Sequence, residues 1–511
     1  MPLFRTLTSA VYGIEASLIE VEVDIKSNGT ETQVFSVVGL PDAAVRESRE
    51  RIRSAITNSG LEFPPDRITV NLAPGDVRKE GTGFDLPIAL GILGASGKIQ
   101  QQQLKDVLLL GELSLDGRLR PVRGVLSSAI KARSSQIQRI VVPYENSAEA
   151  SVVQELQAYP VKTLIEAIEL IRRNFDRKPM QINCKEILEQ GSKYNIDFSE
   201  VKGQLQAKRA LEIAAAGGHN ILLIGPPGSG KTMLARRLLT ILPPLNFDEA
   251  LEVTQIHSVV GLVNGKGLVS KRPFRAPHHT TSEAGLIGGG SSPRPGEVSL
   301  AHHGVLFLDE LPEFSRSTIE ALRQPIEDGC VTISRANTSL TFPSKFMLVA
   351  AMNPCPCGYY GSKLRSCRCS SAQIQRYIHK ISGPLLDRID IHIEVPALCL
   401  EEYSSSFKGE TSSQIRSRVN QARSVQLERL TSEKIYCNAQ MGSSAIKRFC
   451  QLNEQNKKLL ENSIQRLGLS ARAYDRILRV SRTIADLAGH SQILAEHIYE
   501  AIQYRSLDQY W

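Results

Sequence analysis

No stretch of the 511 residues approaches the roughly 20 apolar positions that span a bilayer, so no membrane partner is expected. Nor does the opening MPLFRTLTSAVYGIEASLIEVEVDI set a charged segment ahead of an apolar one, and no export signal is predicted. Charge of one sign is scarce: 61 Lys and Arg face 53 Asp and Glu, and a net +8 over this length is thin ground for inferring nucleic acid. The nine cysteines are an odd number, which without an export route predicts free or metal-bound thiols in a reducing, cytoplasmic compartment. Size restricts little, since the chain is long enough for about three domains with real cores.

What is present is concentrated in ILLIGPPGSGKT, residues 221–232. Four apolar residues run into Gly225-Pro226-Pro227-Gly228-Ser229-Gly230-Lys231-Thr232, which fits GxxxxGK[ST] at every fixed position. Each residue type has a physical reason. Glycines let backbone N–H groups close on phosphate oxygens, Lys231 reaches the terminal phosphates, and the Thr232 hydroxyl suits a Mg²⁺ ligand. The following MLARRLLT reads as a helix whose N-terminus adds partial positive charge, so ATP with Mg²⁺ is the expected ligand pair.

Further along, the strand VLFLDE ends in Asp309, placed to hold the magnesium shell, and Glu310, placed to polarise the attacking water. STIEALRQPIEDG reads as one amphipathic helix, and VTISRANTSLTFP as a hairpin with Arg335 and Asn337 at its tip. Asn353 closes the strand KFMLVAAMNP, where an amide can orient water without titrating. Arg388 lies too far past the nucleotide strands to serve its own site, so it is read as an arginine finger for a neighbouring subunit. The glycine-rich run 261–304 reads as a moving, substrate-facing loop. Its histidine pairs, His278-His279 and His302-His303, have no cysteine or carboxylate at ligand spacing and read as loop contacts.

Residues 1–175 alternate strands such as SLIEVEVDI, RITVNL and QRIVVP with helices such as AAVRESRERIRSAITNSG, an α/β domain. GTGFDLPIALGILGASG and LLLGELSLDGRLRPVRGVLSSAIKA in it resemble the proteolytic domain of Lon proteases and the related domain of bacterial RadA. The resemblance implies no proteolysis, because Gly83 stands where the nucleophilic serine is expected and Leu126 where the lysine is. Together with GPPGSGKT, RPFRAPHHT, VLFLDELPEF, AAMNPCPCGYYG and LSARAYDRILRVSRTIADL, the chain resembles the ComM/YifB group of magnesium-chelatase-type AAA+ ATPases over nearly its whole length. That resemblance implies an ATP-driven ring, a hexamer, that moves DNA branch points in recombination linked to natural transformation. It also implies sensor roles for Asn353 and for Arg472, the latter closing on the γ-phosphate. The expected architecture is α/β: a Lon-like domain (1–175), a linker (176–200), a P-loop AAA+ core with a parallel sheet (201–397) and a helical lid (398–511) entered through a polar connector at 401–413.

Two features stay open. Cys355, Cys357, Cys367 and Cys369 form C-x-C-x₉-C-x-C, which suits a zinc site, free thiols or a redox clip. Lys363, Arg365 and Arg368, with Arg376 and Lys380, are interleaved with Tyr359, Tyr360 and Tyr377, a pattern that suits DNA contacts or a subunit interface. A magnesium-chelatase ATPase subunit acting on a protein partner, and a nucleotide-gated scaffold, are the alternative functions.

Overall fold

The computed structural model describes residues 3–26, 34–191, 193–263, 265–290, 293–335, 338–362, 365–397, 409–433 and 435–505. The chain divides into two compact units, one of residues 1–190 with 246–270 and one of residues 191–245 with 271–511.

The first unit is built on a seven-stranded mixed sheet. Its order is Phe35–Val38, Arg67–Ala73, Glu15–Lys26, Phe4–Tyr12, Val107–Leu109, Arg139–Pro143 and Gln157–Val161. The long central strands alternate buried and wetter positions, as a sheet with one covered face requires. Helix Ala43–Asn58 starts where Asp42 accepts the Val45 N–H at 2.8 Å. Helix Asp85–Ala95 is buried at nearly every position, and Gly94 sits so close to Phe4 that a Cβ would come within 2.2 Å of its ring. Burial pushes the Asp85 carboxyl up to about 6, against the pull of Arg51, whose guanidinium donates to it at 3.0 Å.

Helix Phe247–Val259 also belongs to this unit, although by sequence position it falls inside the expected ATPase core. A capping box between Asn246 and Glu249 starts it. Gln255 donates to the Ile14 carbonyl at 2.7 Å, and the Ser258 carbonyl accepts the Gly124 N–H at 3.2 Å. The Ser258 hydroxyl donates to buried Glu149, which also accepts the Leu126 N–H at 2.8 Å and an Asn146 amide proton at 3.3 Å. Its apolar residues Ala250, Val253 and Ile256 are buried. The hydrogen bonds to Ile14, Gly124 and Glu149 fix the helix to this unit.

The second unit holds a five-stranded parallel sheet ordered Phe274–Arg275, Val305–Leu308, Met347–Met352, Ile221–Ile224 and Ile391–Glu394. Its three middle strands are apolar without alternation because helices or further layers cover both faces. The C-terminal region is helical: Ser412–Leu430, Ser443–Phe449, Glu454–Leu467, Ala471–Leu487 and Ala495–Gln503. It is not a separate body, since Val419, Ile477 and Ile484 join Ile221, Val349 and Ile391 in one hydrophobic cluster. Of the connector expected at 401–413, residues 401–408 lie outside those described.

One local expectation is corrected. The single helix over STIEALRQPIEDG is two, Arg316–Ala321 and Arg323–Asp328, because Pro325 has no N–H for the Ala321 carbonyl. In helix Leu205–Gly217, Leu205 is 79% exposed at the first turn, while Ala210, Ile213 and Ala214 are buried.

A buried polar hub ties the helical region to the sheet. His219 Nδ1 lies 3.2 Å from Asp390 and its Nε2 2.8 Å from the Thr483 hydroxyl, and Arg476 donates to the same Asp390. Burial alone would raise the Asp390 carboxyl. Arg476 and His219 outweigh that and hold it well below the usual carboxylate range. A carboxyl depressed in the folded state stabilises fully above its unfolded value of about 4 and loses that contribution as pH falls further. Urea midpoints measured from about pH 5 downward should therefore drop for the native chain, with a visibly flatter acid limb for Asp390→Asn.

Candidate active site

The turn after strand Ile221–Ile224 depends on glycine. Gly228 and Gly230 adopt φ of +77° and +87°, and a Cβ on Gly225 would stand 2.1 Å from the Val395 carbonyl oxygen. Helix Lys231–Ile241 begins without a side-chain cap, so its first N–H groups are left for an external acceptor. The Ser229 hydroxyl and the Gln204 Oε1 are buried there without a hydrogen-bond partner. The orphaned Ser229 hydroxyl, a donor beside uncapped amides and left-handed glycines, fits a polyphosphate.

Lys231 is 8% exposed. Its ammonium donates to the carbonyls of Gly225 at 2.6 Å and Pro226 at 3.0 Å and to the Asn353 Oδ1 at 3.1 Å. Burial pushes its pKa down, and the charges of Asp309 and Glu310 pull it back up. The Thr232 hydroxyl donates to Asp309 at 2.7 Å. A hydroxyl and a carboxylate side by side are hard oxygen donors of the kind Mg²⁺ takes. Asn353, Asp309 and Thr232 thus meet at the phosphate loop from three parallel neighbouring strands and the helix after them.

Several partners were not legible in the chain order. Gln204, in a left-handed conformation at φ +50°, donates to the Ser229 carbonyl at 2.7 Å. His279 lies with its Nδ1 3.3 Å from Glu310, itself at φ +53°. No carboxylate lies at ligand spacing around the histidine pairs in the sequence, but the fold brings one to His279 from 31 positions downstream, beyond the reach of spacing rules. His278 does make the loop contact expected of it, at 2.9 Å from the Thr280 hydroxyl.

Arg388 is buried, pairs with Glu327, and leaves its Nε without a partner. Arg472, exposed at the start of helix Ala471–Leu487, adds its charge to that of Arg388 at the same Glu327 carboxylate. Ser470 just ahead of it reaches Asp387 at 3.5 Å. Arg472 therefore accompanies the Arg388 segment.

The hairpin is present as Cys330–Arg335 and Thr338–Pro343, paired antiparallel. Asn337 and Lys363 lie outside the described residues, and Arg335 is described by its backbone alone. Arg365 stacks over Tyr359 at 5.2 Å and is exposed, as is Arg368. Tyr377 is buried, which removes it from the expected stacking surface.

Comparison with known proteins agrees with this geometry. Residues 197–403 match the family described as magnesium chelatase, subunit ChlI, residues 21–146 match subunit ChlI of Mg-chelatase, and residues 409–505 match its C-terminal part. The chain is 45% identical to competence protein ComM of Haemophilus influenzae over 510 residues, covering 99% of this chain and 98% of that protein. The chain belongs to the ComM/YifB family of magnesium-chelatase-type AAA+ ATPases. Its likeness to YifB of Salmonella typhimurium, 44% over 506 residues, covers 98% of this chain and 97% of that one. A more distant match, 27% over 190 residues, is to Lon protease 2 of Bacillus subtilis, covering 34% of each chain.

ComM/YifB membership implies an ATPase that uses ATP with Mg²⁺ and assembles as an oligomer, with the matched ATPase portion spanning every residue around Lys231 named above except Arg472. Among the described residues no helix is long and apolar enough to cross a membrane. The tight turn gives a direct test. Gly225→Ala should weaken nucleotide binding at least about tenfold, since its methyl must displace the Val395 carbonyl or the loop. Titration with a fluorescent ATP analogue measures this.

Proposed function

We propose that this chain is an ATP-driven, ring-forming motor, a hexamer, that moves branch points of DNA during recombination linked to natural transformation. The observation that carries it is the convergence of Lys231, Thr232, Asp309 and Asn353 on one phosphate loop in a chain similar along its whole length to a competence protein.

In this reading Lys231 exchanges its carbonyl partners for the β- and γ-phosphates, and the loop amides take the remaining oxygens. Thr232 and Asp309 hold Mg²⁺, whose chemistry there is to neutralise charge growing on the transferred phosphoryl group. Glu310 takes the proton of the attacking water and Asn353 orients that water. His279 fixes which way Glu310 faces. Arg388, once released from Glu327, acts on the triphosphate of the adjoining subunit, while Arg472 closes on the γ-phosphate of its own.

The first unit serves as a Lon-like platform without proteolysis, since Gly83 and Leu126 offer neither nucleophile nor base. Residues 1–175, 176–200, 201–397 and 398–511 remain our functional divisions, with helix Phe247–Val259 reassigned to the platform. DNA is met by the hairpin tip, Arg335 and Asn337, and by Lys363, Arg365 and Arg368. The motor works in the cytoplasm. Branch migration makes about as many base pairs as it breaks, so hydrolysis supplies direction rather than net melting energy.

Membership of a family named for magnesium chelatase favours one second reading, an ATPase subunit that remodels a protein partner for metal insertion. ATP hydrolysis with and without four-way DNA separates the two. Stimulation by the junction, lost by about 100-fold or more in Lys231→Ala, supports the motor, and a rate indifferent to DNA favours the chelatase reading. Binding should weaken by about 10³-fold between 50 and 200 mM salt if some six phosphates are contacted, and flat affinity would exclude a phosphate-tracking surface. Arg388→Ala alone should lose about 10³-fold in rate, and mixing it with Lys231→Ala should restore part of it, because mixed rings pair an intact loop with an intact finger.

A further inference from the structure

Cys355, Cys357, Cys367 and Cys369 are free thiols whose sulfur atoms all lie within 4.8 Å of one another. Cys355 Sγ is 3.4 Å from Cys357 Sγ and 3.7 Å from Cys367 Sγ, and the latter two are 3.5 Å apart. Four thiolates at about 2.3 Å around a tetrahedral zinc ion stand about 3.8 Å from each other, so the cluster already has nearly that spacing. Backbone N–H groups point at the sulfurs. Tyr360 N–H donates to Cys355 at 3.3 Å, Cys369 N–H to Cys367 at 3.4 Å, and the N–H groups of Arg368 and Tyr359 to Cys357. Donors of this kind favour the ionised sulfur that a metal takes.

The position of the cluster matters as much as its geometry. Cys355 follows Asn353 by two residues at the end of strand Met347–Met352. Gly358, at φ +84°, rests on the phosphate loop so closely that a Cβ would come 2.5 Å from Pro227 Cδ and 3.9 Å from Asn353 Cγ. On the other side Cys369 leads into Ser370, which caps helix Ser371–Ile378. Tyr377 in that helix returns to Asn353, whose backbone N–H donates to its hydroxyl. Both cysteine pairs therefore lead to the residue that holds Lys231.

We propose that Cys355, Cys357, Cys367 and Cys369 bind one Zn²⁺ as thiolates, and that this centre seats Asn353 and the Pro227 turn so that ATP is hydrolysed, not merely bound. The first half stands on the cysteine geometry alone. The second rests on the ATPase reading above. Binding releases the thiol protons and involves no change of oxidation state, so chelation and thiol modification are the perturbations that act on it.

Elemental analysis and thiol titration of the purified full-length protein test the site, with one zinc per chain and four protected thiols expected. Cys357→Ser with Cys367→Ser should bring zinc to background and slow hydrolysis about 100-fold, while nucleotide affinity changes less than about tenfold. Gly358→Ala keeps all four ligands and guards against a misfolded double variant. It should retain zinc and still lose about tenfold in rate, because its methyl presses on Pro227. Background zinc with four reactive thiols in the native protein overturns the metal site. A zinc-free double variant, or a Gly358→Ala protein, that hydrolyses ATP at the native rate overturns the positioning role. A native protein that holds zinc but hydrolyses no ATP overturns the ATPase reading and leaves the metal site standing.

Discussion

Lys231 carries an ammonium into a turn almost closed to water, and an ion so placed has to be met on every side by acceptors. Two of them, the carbonyls of Gly225 and Pro226, come from the turn itself, and the third is the Asn353 amide oxygen from the next strand. That requirement sets the order of the sheet around it: strand Ile221–Ile224 lies beside Met347–Met352, and Asn353 falls at the latter's end, facing the lysine. The turn tolerates no Cβ at Gly225 for a separate reason, the Val395 carbonyl 2.1 Å from where it would stand. An arrangement that satisfies the charge with weak backbone acceptors is poised to give them up for a phosphate, which offers more charge in the same place.

The acidic residues around the site divide by what they face. Asp309 has the Thr232 hydroxyl, Glu310 has an imidazole, and Glu327 has the Arg388 guanidinium. A carboxylate that already holds a guanidinium keeps it from a phosphate, so in the proposed motor Glu327 has to release Arg388 before that arginine can meet a nucleotide. The orphaned Nε of Arg388 marks how incompletely Glu327 answers it.

Much of the site was legible because its chemistry is local. The phosphate loop, the apolar strand ending in Asp309 and the hairpin are each specified within a dozen residues, and the strands and helices of the first unit follow from plain alternation and capping. What escaped notice depends on contacts between distant parts of the chain. Gln204 and Ser229 are 25 positions apart, and Arg388 and Glu327 are 61 apart, with no pattern in either segment announcing the other. Helix Phe247–Val259 lies within the span expected for the ATPase core yet belongs to the first unit, because amphipathicity tells that a face is buried and not against what. The break at Pro325 is different in kind: the proline is local in the sequence, and its missing donor outweighs the helical periodicity around it.

The polypeptide passes between the two units three times, after residues 190, 245 and 270. A gene cut once at any of these points cannot yield two self-sufficient halves: a cut after 190 leaves helix Phe247–Val259 on a piece without the rest of its unit, and a cut after 245 or 270 separates the phosphate loop from its downstream strands. Shuffling by a single crossover, which assembles so many multidomain proteins, is thereby closed to this architecture, and its two parts are bound to be inherited together.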